Sequence, residues 1–208
     1  MSTNLDGYGI ESCDYLSRAK DRIAESTKAS LFYAALELRC YVECRQAEYL
    51  DAQRAFVKSV PPAWKIGNQW RTLQKVMKGH QIQHIRMIYS QIFSLDGYYV
   101  PVSDALKNGA ERMSELIHAQ LKAYGDGDAW WDKKREEIIA LYRLAWVCQQ
   151  GNMLAPSLIS HHDGKMIGRL SMTVQADKDM MNIVRDTKYA TAHVRYYDTP
   201  PSIWVADI

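Results

Sequence analysis

Arg112 and His118 are the pair in this sequence best suited to chemistry on a phosphate. They lie in ERMSELIHAQ (111–120), six positions apart, on a stretch that reads as helix. An arginine is a permanent cation whose planar fork fits phosphate oxygens. A histidine changes charge near neutrality and moves protons in acid–base steps. Together they are the minimum equipment for cleaving RNA without a metal. The imidazole takes or gives the proton, and the guanidinium stabilises charge on phosphate. On an ideal helix six positions turn by about 240° and rise about 9 Å, so the two side chains do not share a face. They meet on one phosphate only if bent inward or if two chains pair. The competing reading is an ordinary surface, with Arg112 paired to Glu115 or Glu111 and His118 held by Ser114. Ser114 and Glu115 are therefore supporting residues on either reading.

A second constellation has metal-ligand types. Cys40 and Cys44 stand four apart on a helix, and His80 and His84 repeat that spacing. Two such pairs facing each other supply a tetrahedral zinc site. The spacing is not that of a zinc finger, and HQIQH lacks the Glu of a metalloprotease helix. The plainer reading makes Cys40 and Cys44 small core fillers. His161-His162-Asp163 reads as a polar turn, since no Ser or Cys stands out as its nucleophile. GYG, GDG and GKMIG lack the lengths of a phosphate-cradling loop.

The chain has 208 residues, enough for one domain with a small appendage. Hydrophobic residues at 47% and charged residues at 24% exclude disorder and low complexity as the main state. The net charge of +2 is uneven. Residues 1–60 carry −1, 61–102 carry +4, 103–155 carry −1 and 156–208 carry none. The excess comes from Lys65, Arg71, Lys75, Lys78 and Arg86, opposed only by Asp96. These five are the candidate RNA-backbone contacts, a basic rim just before the Arg112–His118 helix. Trp64, Trp70 and Tyr89 are interleaved with them, a pattern compatible with base stacking and equally with a helix that buries Trp and solvates Lys. No apolar run approaches a membrane span. The N-terminus has no signal-peptide pattern. Four cysteines are too few for a disulfide scaffold, so a reduced, cytoplasmic location is the expectation.

The elements follow from apolar spacing. Tyr15, Leu16, Ala19, Ile23 and Ala24 predict a helix over 12–27, with Ser12 as its cap. Leu31, Ala35, Leu38 and Val42 begin a long helix, unbroken by Gly or Pro until Pro61 and Pro62. Within it Arg39 can meet Glu43 one turn on. Residues 64–93 read as helical, in one or two pieces, with stripes at Trp70, Leu73, Met77 and at Ile85, Ile88, Ile92. SLDGYYVP reads as a loop by its Asp96-Gly97 pair. Ser103 caps a helix predicted to reach Tyr124, and another spans about 129–150. After Pro156 the pattern changes. Asp163-Gly164 signals a hairpin, YATAHVRYY alternates like a strand, and a short helix is expected near 177–185. The fold class is mainly α, with a helical body (1–152) and a β-rich appendage (153–208).

AALELRCYVE (34–43) on a long second helix, followed by ERMSELIHAQ (111–120), resembles the HEPN superfamily over residues 10–150. The resemblance implies an up-down bundle of four or five helices. It implies a metal-independent endoribonuclease of toxin–antitoxin or anti-phage defence systems, needing no cofactor. Members carry an Arg, four to six residues, then a His, and dimerise so that two motifs face one cleft. That pattern falls on Arg112 and His118. The implied reaction is attack of an RNA 2′-hydroxyl on the adjacent phosphate, leaving a cyclic phosphate. The implied partners are a second copy, RNA and an antitoxin or defence protein, with no membrane. Catalytic members usually have a polar residue directly after the Arg, whereas this chain has Met113. The alternative is a non-catalytic helical module that binds a partner protein or RNA.

Overall fold

The computed structural model describes residues 8–77, 81–90, 93–118, 122–156, 158–159, 166–167 and 191–208. The chain is mainly α, with a small antiparallel sheet. Helix α1 (Ser12–Glu25) buries Leu16, Ala19 and Ile23. Its cap is Glu11 rather than Ser12. Glu11 and Asp14 form a reciprocal capping box, while Ser12 gives its N–H and hydroxyl to Glu48. A left-handed Ser26 ends the helix, and Thr27 caps the next after a two-residue link.

Helix α2 (Lys28–Ala52) is the central element, because α1 and all the later helices α3 to α6 described below pack against it. It therefore buries side chains on every side, including Leu31, Ala35, Leu38, Val42, Tyr49 and Leu50. It stops well before Pro61. No residue from 54 to 65 is buried, so a continued helix would have no face to pack. A single 3₁₀ turn, Arg54–Phe56, follows instead. Buried Arg45 crosses the core floor. It donates to Tyr49 Oη (3.0 Å), Glu48 Oε2 (2.9 Å) and the Gly151 carbonyl (2.5 Å).

Helix α3 (Ile66–Met77) forms as the Trp70–Leu73 stripe predicts. The helical expectation fails beyond it. Residues 82–90 are strand β1 (Ile82–Ser90), and the expected loop is strand β2 (Phe93–Tyr99). The two pair antiparallel, with Ile85 opposite Gly97. Gly97 is a packing glycine here. A Cβ on it would stand 2.7 Å from Met153 Sδ and 3.2 Å from Ile85 Cγ2.

Helix α4 (Asp104–Arg112) is capped by Ser103, whose hydroxyl accepts from the Leu106 N–H at 3.2 Å. A short α5 (Ser114–Ile117) follows, so the helix predicted to reach Tyr124 ends at Ile117. Asp128 caps α6 (Ala129–Gln149), close to its expected bounds. Beyond it, β3 (Leu158–Ile159) pairs antiparallel with β4 (Met166–Ile167), flanking the expected Asp163-Gly164 hairpin turn. That turn and the helix expected near 177–185 lie outside the described residues. Strand β5 (Thr191–Tyr197) joins the sheet of the body, giving the order β2-β1-β5. The tail folds back: Trp204 meets Tyr98 edge-on and Asp207 pairs with Lys20 at 2.6 Å. Among the described residues no helix is long and apolar enough to cross a membrane.

Candidate functional site

The α4–α5 segment is held by one inward stripe. Leu106, Gly109, Ala110, Met113 and Leu116 are buried and continue across the break between the two helices. Asn108, Glu111, Arg112, Glu115 and His118 are exposed on the opposite side. The break changes the geometry expected of one ideal helix. The Leu116 N–H bonds the Met113 carbonyl three residues back at 3.0 Å, a 3₁₀ turn. The Ile117 N–H bonds the same carbonyl at 3.1 Å, so the tightening is confined to one turn. His118 then leaves the helix with extended backbone, its N–H still held by the Ser114 carbonyl at 3.1 Å. Arg112, Glu115 and His118 follow one another at three-residue steps, and all three are exposed.

The surface pairings expected for these residues are taken by others. Glu111 pairs with Lys107 at 3.3 Å, and Glu115 with Lys134 at 2.8 Å. Ser114 Oγ accepts from Arg39 Nη1. Arg112 makes no hydrogen bond or ion pair among the described residues. Glu115 titrates below the usual carboxylate range. The Lys134 hydrogen bond is the main cause, followed by the charges of Lys134 and, more weakly, Arg112.

Arg39 ties three elements to this junction. It donates to Glu43 Oε1 at 2.9 Å, as the four-residue spacing predicts. It also reaches Ser114 on α5 and the Trp64 carbonyl at 3.5 Å. Nothing in the spacing of the sequence signals those last two contacts. They bring Trp64, 65% exposed, and the neighbouring exposed Lys65 to the site. The first turn of α3 lies just as close to α4. A Cβ on Gly67 would stand 2.8 Å from Glu111 Oε1. Three residues on, Trp70 Nε1 donates to the Val102 carbonyl and Lys107 lies over its ring. Helix α3 therefore runs antiparallel to α4.

That direction separates the expected basic rim. Lys65 is at the Arg112 end. Arg71 and Lys75 are carried toward the start of α4, with Arg71 bonding Gly67 O and Asn68 Oδ1 on its own helix. Arg86 is on β1, bonded to Ser94 Oγ at 3.0 Å and 4.0 Å from Asp96. Lys78 lies outside the described residues, as does the side chain of Tyr89.

Of the two-Cys, two-His alternative, Cys40, Cys44 and His84 lie among the described residues and do not gather. Among the described residues no three His, Cys, Asp or Glu side chains group as a metal site needs. Cys44 faces the Ile10 carbonyl and Glu48. His84 stacks on Tyr98 with centroids 4.4 Å apart and bonds Asp96 at 2.6 Å. His80, and the His161-His162-Asp163 turn, lie outside the described residues.

No protein-family model matches the chain, and neither does any curated protein or solved structure.

Proposed function

We propose that the chain is a metal-independent endoribonuclease of the HEPN kind, with Arg112 and His118 as its catalytic residues. The observation that carries this reading is that both side chains are exposed and that Arg112 has no ion pair among the described residues, since Lys134 takes Glu115. In this reading α1, α2, α4 with α5, and α6 make up the up-down bundle, and two copies pair so that their Arg112–His118 motifs face one cleft. Arg112 binds the non-bridging oxygens of a phosphate and stabilises charge that grows there. His118 takes the proton from the 2′-hydroxyl, and the freed oxygen attacks the adjacent phosphorus. The bond to the 5′-oxygen breaks, and that oxygen takes a proton from the imidazolium of the second copy. The products are a cyclic phosphate and a free 5′-hydroxyl. A toxin–antitoxin or anti-phage setting in the cytoplasm, with a cognate protein partner, belongs to the same proposal.

Incubation with RNA in excess chelator tests it. Fragments ending in a cyclic phosphate are the expected result. Fragments that vanish on chelation would remove the metal-independent mechanism. One observation favours a second reading, a non-catalytic module that binds RNA or protein. Met113 is 2% exposed and faces the core, so the position after Arg112 lends no polar group to the site. Salt-sensitive RNA binding without cleavage is the result that reading predicts.

A further inference from the structure

Four aromatic rings gather where the chain enters α6. Tyr124 stacks on Trp130 with centroids 4.1 Å apart and planes 9° apart. Trp131 meets Trp130 edge-on at 4.8 Å, and Phe32 of α2 meets Trp131 edge-on at 6.0 Å. The cluster is braced from below. Trp131 Nε1 donates to the Gly125 carbonyl at 2.9 Å, and Asp128 caps the helix through the Trp130 N–H. Lysines surround the rings: Lys28 over Trp131, Lys122 over Tyr124 and Lys134 over Trp130.

Tyr124 is half-buried. Trp130 fills one side of Tyr124, so the Lys122 ammonium, 5.1 Å from the ring centroid, lies over the other. Lys122 is exposed and forms no ion pair among the described residues. The side chain over that face is therefore a flexible, solvated one. A flat base can displace it at little cost, and the released ammonium can then reach a phosphate. The cluster also adjoins the candidate site. Lys134, over Trp130, holds Glu115 between Arg112 and His118.

We propose that Tyr124, backed by Trp130, is a stacking platform for an unpaired base of RNA, with Lys122 on the neighbouring phosphate. The substrate class is then single-stranded RNA, because bases inside a duplex have both faces covered. This rests on the reading of the Arg112–His118 pair as an RNA site.

The test uses the full chain carrying His118→Ala, so that RNA is not consumed. A labelled, unstructured oligoribonucleotide is titrated by fluorescence anisotropy, with tryptophan emission followed in parallel. Binding with quenched emission is expected. Tyr124→Ala in that background should weaken binding about tenfold or more. Tyr124→Phe, which keeps the ring, should restore it. A fully paired duplex of the same composition should bind far less tightly. No binding of the unpaired RNA, equal binding of the duplex, or full affinity in a folded Tyr124→Ala variant would each overturn the proposal. Cleavage is read separately with His118 intact. A chain that binds through Tyr124 without cutting keeps the platform and loses the ribonuclease reading. Cleavage indifferent to Tyr124→Ala does the reverse.

Discussion

Lys134 Nζ stands 2.8 Å from Glu115 Oε2 and 2.8 Å from Glu137 Oε2, with its side chain only 8% exposed. A buried ammonium needs such partners. Burial alone would push its pKa down, but the hydrogen bonds to the two carboxylates outweigh this and leave it raised. The bridge joins α6 to α5 and gives Glu115 a bonded cation other than Arg112.

Lys134→Met should destabilise the fold by roughly 1–2 kcal/mol, since the Glu115 side of the bridge is open to solvent. The effect carries a pH signature. A carboxylate held below its unfolded pKa stabilises the fold above that value and loses the contribution as pH falls through the folded one. The advantage over Lys134→Met should therefore be full above about pH 4.3 and shrink below it. Thermal melts across that range measure it. A difference that grows on acidification would contradict the account.

Arg45 is 1% exposed, and each of its three guanidinium nitrogens donates a hydrogen bond inside the protein. Arg45→Met leaves the Gly151 carbonyl and the Tyr49 hydroxyl without their donor. A loss of about 3–5 kcal/mol in urea unfolding is expected. A loss below 1 kcal/mol, on the order of a surface substitution, would show that the network does not hold the floor of the core.

Cys44 is held by burial, and then by Glu48, at a pKa of about 12. At pH 8 its thiolate fraction is on the order of one in ten thousand, so it is a poor nucleophile and a poor zinc ligand. Alkylation followed by mass spectrometry should label exposed Cys13 first and leave Cys44 until the chain unfolds. Elemental analysis should find no zinc bound. Rapid labelling of Cys44 in the folded protein would refute the assignment.

The helices were legible where period and caps agreed. Ser103 caps the helix it precedes, and Leu31, Ala35, Leu38 and Val42 are buried as their spacing requires, whereas the cap expected at Ser12 falls to Glu11. The sheet was not. Ile85, Ile88 and Ile92 recur at helical spacing, whereas residues 82–90 are a strand in which Ile85 and Met87 are buried and Arg86 is exposed. Asp96-Gly97 imitates a turn because the sequence cannot show Met153 lying over Gly97. For the site, Arg112 and His118 were visible by type and spacing. Their surroundings were not, because Lys134 and Arg39, which take up Glu115 and Ser114, approach from distant helices.

The central claim is tested most directly by cleavage of unpaired RNA in chelator by the parent chain, Arg112→Ala and His118→Ala. Both side chains are exposed, so circular dichroism and melting should be unchanged in the variants. The account predicts cyclic-phosphate products from the parent and a loss of about a hundredfold or more in each variant. Cleavage at the parent rate in either folded variant would contradict it.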